Sequence, residues 1–343
     1  MGLLLAIGLF LVFYTLYSVL HPKGGSTQVF VQNANEAFAL IMAGVAQTLP
    51  VLVGGLDLSV GAVITLVNCL ASVVVNGTPT QIFFGVILCL LTGMLAGYIN
   101  GVIIVYGRLQ PIIVTLATGA AYLGIALFLR PSPGGEVDEN LATALTYDIY
   151  ELGAVLGWVE DEPGALFGLI SWIPMPVVLL IGIVLLIWLP FRNSNLGRGC
   201  YAVGSSEGAA YMSGINVGRA RIAAFTLAGF FAAIGGLYLA LQTGSGNADA
   251  PQAGAYTLNS IAAVVIGGTS LYGGVGGVVG SIFGAGVLRG ISFNFRVFDE
   301  GSIFGFLSDP LLQPLFEGAV LLFAVSLGAA RVFRVKNRLQ LFG

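Results

Sequence analysis

Apolar runs of about twenty residues, almost free of charge, recur along this chain from Leu3 to about residue 330. Wound into an α-helix, such a run crosses the roughly 30 Å hydrocarbon layer of a bilayer. Only 8% of the 343 residues are charged, Lys+Arg 13 and Asp+Glu 16, against roughly 25% in a soluble domain. So few charges cannot cover a folded surface in water. That excludes a soluble enzyme of this size, a disordered chain and a nucleic-acid-binding surface, each of which needs charge. A membrane β-barrel would alternate apolar and polar residues instead of running apolar. The chain therefore reads as an all-α polytopic membrane protein, with residues 1–343 forming a single transmembrane domain.

Hydropathy windows place about ten transmembrane helices, at 3–20, 37–54, 58–75, 81–106, 111–130, 175–190, 219–242, 257–271, 275–293 and 313–330. Glycine pairs interrupt the second, eighth and ninth, which predicts broken or re-entrant segments there. The first run lacks a basic flank and an Ala-x-Ala cleavage pattern, and is read as a retained helix. With the N-terminus inside, nine basic residues fall on the inner side: Arg108, Arg192, Arg198, Arg219, Arg221, Arg331, Arg334, Lys336 and Arg338. Three (Lys23, Arg130 and Arg296) fall outside, and Arg289 lies within a span. The positive-inside rule then puts both termini in the cytoplasm. Residues 131–173 become an acidic extracytoplasmic loop, and 191–218 the longest inner loop.

Several chemistries are excluded by inventory. His21 is the only histidine, so neither a histidine metal site nor a Ser-His-Asp arrangement is expected. Lys23 precedes Gly and Lys336 precedes Asn, so the chain has no Walker-type phosphate loop and cannot itself be a P-loop ATPase. Cys69, Cys89 and Cys200 are odd in number and suggest no disulfide framework. No catalytic residue, metal or cofactor is expected.

Polar residues that break the apolar pattern carry the remaining information. Asp57, in Gly54-Gly55-Leu56-Asp57-Leu58-Ser59-Val60-Gly61, sits between two spans, with Ser59 placed to cap the next helix. It is either a helix cap alone or a functional carboxylate. Gln47, Asn68, Asn100, Thr115, Thr118 and Glu317 either bond between helices or line a path for a hydroxyl-rich solute. In the inner loop, Ser205 or Ser206 can cap a helix of about two turns that Gly214 ends, with Ala209, Met212 and Ser213 on one face. This helix is either a surface connector or a docking element. Finally, Val51-Leu52-Val53-Gly54-Gly55 faintly repeats as Val264-Val265-Ile266-Gly267-Gly268, and paired broken helices mark transport sites in many carriers.

Taken together, five stretches resemble the membrane permease subunit of bacterial ribose-type (monosaccharide) ABC importers. They are Gly54–Gly61; Asn100-Gly101 with Gln110-Pro111 and Val114-Thr115-Leu116; Gly197-Arg198; Gly204–Val217 with its E-x-A-A-x-x-S-G-I-N-V core; and Ile261–Leu271. They occur in the expected order over about residues 40–330. The resemblance implies an inner-membrane, multi-pass permease that pairs with a second permease as homodimer or heterodimer. It also implies an ABC ATPase subunit at the cytoplasmic face and a periplasmic or extracytoplasmic solute-binding protein outside; membrane lipid is a partner and nucleic acid is not. It makes the inner-loop helix the coupling helix, formed by Ser205, Ser206, Glu207, Gly208, Ala209, Ala210, Met212, Ser213 and Gly214, with Glu207 facing the ATPase. Asp57, Ser59, Asn68, Asn100, Thr115, Thr118 and Asn259 are the candidates for the translocation pathway, while the motif around Asp57 marks the family without fixing that residue's role. The chain departs from the family at Asn259, where an acidic residue is usual, and in the length and acidity of 131–173. Alternatives are an ABC permease for another small solute, such as a nucleoside or branched amino acid, or an ion-coupled secondary carrier. The carrier would need a titratable relay, and only Asp57, Arg289 and Glu317 lie in or near spans.

Overall fold

The computed structural model describes residues 2–158, 168, 170–297 and five isolated positions between 312 and 322. Among the described residues every regular element is helical, and extended pairing is limited to the bridges Gly134–Gly246 and Asp148–Pro174. Seven helices are long and apolar enough to cross a membrane: α1 (Gly2–Leu20), α2 (Thr27–Leu52), α4 (Pro79–Gly107), α5 (Pro111–Leu129), α8 (Met175–Asn193), α11 (Val217–Thr243) and α13 (Val278–Val297). Between them lie α3 (Val60–Val74) and α12 (Ala250–Ile266), and the short helices α6 (Glu139–Thr146), α7 (Ile149–Val155), α9 (Asn195–Ser205) and α10 (Glu207–Met212). The expected span at 313–330 and the basic residues Arg331 to Arg338 lie outside the described residues.

Local chemistry explains the ends. Thr78 and Gln81 form a capping box at the start of α4, the Thr78 hydroxyl accepting from Gln81 N and the Gln81 amide accepting from Thr78 N. Pro111 opens α5 at the position where a missing N–H costs nothing. Asn216 caps α11 through Arg219 N at 2.9 Å. Within α8, a π turn at Ile183–Trp188 precedes Pro190, whose ring and missing N–H cannot continue regular α pairing.

Three boundaries differ from the hydropathy windows. α2 begins ten residues earlier than expected, at Thr27, because the Ser26 cap lets a polar turn (Gln32, Asn33, Asn35, Glu36) extend the rod beyond the apolar stretch. α3 has only 15 residues, about 22 Å at 1.5 Å per residue, shorter than the expected span of 58–75. The expected acidic loop is partly folded: Asp138 caps α6 through Leu141 N (2.7 Å), Asp148 caps α7 through Glu151 N (3.2 Å), and Glu136 holds the Asn76 amide (3.3 Å).

The core is built around α2, α3 and α11. From Ala37 to Leu52 every residue of α2 is buried, as expected of a helix apolar on all sides that other helices surround. α4 lies against α11 through Gly93 and Gly97, which face Gly229; a methyl at Gly229 would fall on the Gly93 carbonyl. Small residues four apart let the two backbones approach closely, the main source of helix association where the solvent is itself apolar. The outer faces of α1, α4 and α5 present Leu4, Val19, Phe83, Phe84, Leu116 and Phe128 outward, apolar side chains that suit contact with lipid.

Both glycine breaks end their helices in the same way. At α2, Gly54 N bonds Val51 O and Gly55 N bonds Pro50 O; at α12, Gly268 N bonds Val265 O and Thr269 N bonds Val264 O. Each pair is a Schellman closure around a left-handed glycine, Gly54 (φ 76°) and Gly268 (φ 84°). The repeat read from the sequence is therefore matched in geometry, but one residue out of register: Gly54 corresponds to Gly268, not Gly267. In a run of paired glycines, composition cannot tell which one takes the positive φ.

Candidate functional site

The break between α2 and α3 carries a buried hydrogen-bonded knot. The Asp57 carboxylate accepts from Ser59 N (2.8 Å) and from the Ser59 hydroxyl (2.6 Å). The Asn100 amide of α4 donates to the Ser59 oxygen (2.8 Å), and the Thr118 hydroxyl of α5 donates to Asn100 Oδ1 (2.6 Å). Leu58 N donates to the Thr115 hydroxyl (2.9 Å). The Gln47 amide, oriented by its neighbours, donates to Asp57 O (2.8 Å) and accepts from Asp57 N (3.2 Å). Asp57, Ser59, Asn100, Thr115 and Gln47 are all essentially inaccessible. Non-helical backbone at membrane depth survives only where its polar groups are satisfied inside the protein, and this knot supplies that satisfaction.

Five of the seven residues expected in a pathway are thus brought together, in a closed network linking α3, α4 and α5. The other two lie elsewhere. Asn68 holds the turn after α11, donating to Ser245 O (3.3 Å) and accepting from Asn247 N (2.8 Å). Asn259 lines a separate cavity of about 170 Å³ with Tyr256 and Arg289. Ser59 takes the cap position of α3, but its hydroxyl turns to Asp57 and makes no cap hydrogen bond to the helix. The sequence reading missed Thr257, whose hydroxyl accepts from Gly61 N (3.0 Å) and joins α12 to the start of α3. It also missed Tyr122, which donates to Ala96 O (2.9 Å) beside Asn100. A hydroxyl one helical turn beyond Thr118 was the available signal for Tyr122; Thr257 had none.

At the α10 end the expected short helix forms. The Ser206 hydroxyl caps it through Ala209 N (3.4 Å), and Gly214 ends it with φ 81°. Ala209, Tyr211, Met212 and Ser213 are exposed, Met212 at 85%. Ala210 is buried at 4% and belongs to the packing, not to an outer face. Glu207 turns sideways to Arg221, 2.7 Å away, because a cation one turn into α11 stands within its reach. Burial pushes the thiol of Cys200, in α9, up to about 12.

α9, which leads into α10, is rooted on both glycine breaks. Gly274 N bonds Leu52 O at 3.0 Å, and a methyl at Gly204 would fall on that same carbonyl. Tyr201 donates to Gly276 O (2.9 Å). Beside this junction a cavity of about 560 Å³ is lined by Gly54, Gly55, Arg108, Gln110, Glu207 and Arg221. Arg130, bonded to Ser72, and Arg296, paired with Glu36, lie at the opposite end of the bundle. α10 is thus connected to the ends of α2 and α12 through α9.

A family model described as branched-chain amino acid transport system / permease component matches residues 29–325. The ribose import permease protein RbsC of Haemophilus influenzae is 30% identical over 303 residues, covering 88% of each chain. The RbsC of Bacillus subtilis is 31% identical over 282 residues, covering 82% of this chain and 78% of its own. The fructose import permease protein FrcC of Rhizobium meliloti is 32% identical over 293 residues, 83% of this chain and 73% of its own. No solved structure matches. With nearly its whole length matched, the chain belongs to the family of branched-chain amino acid transport system permease components.

Proposed function

We propose that this chain is the translocation subunit of an ATP-binding cassette importer that carries a monosaccharide across the bacterial inner membrane, with ATP hydrolysed by a separate subunit. The ribose, fructose and allose names of the relatives support a sugar over the amino acid of the family description. The observation that carries the coupling role is the exposed face of α10, which follows directly on α9, whose Gly204 packs against Leu52 and Gly274 at both broken helices. In this reading the chain is one permease domain of about ten spans with both termini in the cytoplasm. Ser205, Ser206, Glu207, Gly208, Ala209, Met212, Ser213 and Gly214 form the coupling element, and Ala210 anchors it. A second permease and an external solute-binding protein complete the importer. The ATPase moves the chain between inward-open and outward-open states by binding one of them better. The Asp57 knot is then a hinge that keeps the break satisfied while α2 and α3 move, and not a wall of the open path.

The test is Met212→Glu. It leaves membrane insertion unchanged and abolishes both ATPase co-purification and ATP-driven uptake. Undiminished co-purification would refute α10 as the docking element. An ion-coupled carrier is disfavoured by the closed bonding of Asp57; uptake by the isolated chain in liposomes under a proton or sodium gradient would restore it.

A further inference from the structure

Arg289 is a cation in the interior of α13, about 17 Å along a helix of about 30 Å. A guanidinium at such depth is costly unless it faces a partner or a polar cavity. Its Nε is buried without a hydrogen-bond partner among the described residues, while the guanidinium engages the Tyr256 hydroxyl. No described carboxylate pairs with it. Glu36, on the helix beside α13, bonds Gln32 and Arg296, and Asp249 caps α12 through Gln252 N. Arg289 borders a mainly apolar cavity of about 290 Å³ beside Asn33 and Tyr14, and it also lines a cavity of about 170 Å³ whose other polar walls are Gln252, Tyr256 and Asn259.

We propose that this cavity is a binding site for a monosaccharide bearing one carboxylate, a uronic or aldonic acid, and that Arg289 makes the acid preferred over the neutral sugar. The inference deepens the importer reading and rests on it. The planar guanidinium matches a carboxylate with two parallel donors, and charge-assisted bonds are about twice as strong as neutral ones. The amides of Gln252 and Asn259 and the Tyr256 hydroxyl offer both donors and acceptors to sugar hydroxyls. The volume lies below the roughly 300–1,000 Å³ of sites for drug-sized ligands, which sets the ligand at one small sugar. A sugar phosphate would bring a second negative charge that no described group on the cavity wall offsets.

The experiment measures binding of D-glucuronate, D-glucose and acetate to the full chain in nanodiscs by thermal shift and titration. Glucose and glucuronate share a ring and differ at the carboxylate. We expect glucuronate to bind at least about tenfold more tightly than glucose, and acetate to bind far more weakly. Arg289→Gln reduces glucuronate to the level of glucose, and Arg289→Lys keeps part of the preference. Asn259→Asp, which sets a carboxylate on the same cavity wall, weakens glucuronate and leaves glucose unchanged. Equal binding of both sugars, absence of binding by either, or a preference that survives Arg289→Gln overturns the proposal; acetate binding as tightly as glucuronate reduces the cavity to an anion site and also overturns it. Co-purification of the ATPase with the unaltered chain is scored separately, and its failure counts against the importer reading instead.

Discussion

Replacing Asn100 by Leu keeps the side-chain size and removes two short buried hydrogen bonds, to Ser59 (2.8 Å) and from Thr118 (2.6 Å). Bonds between membrane helices average about 0.6 kcal/mol and reach about 1.7, so the pair is worth about 1–3 kcal/mol. The lower half of that range is favoured by what remains. Thr118 still reaches Val114 O (3.0 Å), Tyr122 still reaches Ala96 O (2.9 Å), and the Ser59 hydroxyl still donates to Asp57. The expected loss is about 1–2 kcal/mol, read by reversible unfolding in mixed micelles with tryptophan fluorescence; Trp188, buried in the core, is a reporter. A double-mutant cycle with Thr118→Val isolates the shared bond and should give a coupling of about 0.6–1.5 kcal/mol. Effects that add to within about 0.3 kcal/mol would mean that the two residues do not act together, and the knot as described would be wrong.

Other perturbations test the packing and the inner face. Gly229→Ala puts a methyl on the Gly93 carbonyl and should cost about 1–3 kcal/mol by the same unfolding assay; a neutral result would contradict the close approach of α4 and α11. Glu207→Gln should cost about 0–1 kcal/mol, since its pair with Arg221 is about half exposed and screened by water; a loss above about 2 kcal/mol would show that the pair holds α10 in place. Cys200, with its thiol raised to about 12 by burial, should resist maleimide at pH 8 in the folded chain and react once unfolded. Because burial raises that thiol above its ordinary 9.0, its contribution to stability is complete below about pH 9 and is lost as pH rises towards 12.

Much was legible before any coordinates. Membrane class and the long helices follow from composition and short-range pattern, because a bilayer imposes a length on every apolar helix, whereas the expected Ser59 cap of α3 did not form because its hydroxyl turns to Asp57. The helix of the inner loop was readable because Ser206 and Gly214 lie within one turn of its ends. The extension of α2 and the folding of the acidic loop were not, since a cap outside the apolar window overrides hydropathy. Nor could spacing reveal that Ala210 is buried while Met212 is exposed, or that Glu207 spends its charge on Arg221; both depend on where α11 lies.

The sequence alone determined that this chain lives in a membrane and where its long apolar stretches and polar exceptions fall, because those properties belong to residues and their near neighbours. Only the tertiary structure decided which exceptions meet. It joins Asp57, Ser59, Asn100 and Thr118 into one knot across some sixty residues of chain, and sends Asn68 to a turn and Asn259 to the cavity of Arg289. Contacts of that separation are set by how whole helices pack, and in a chain with 50 glycines the packing is governed by which backbones can approach, information that no local pattern carries.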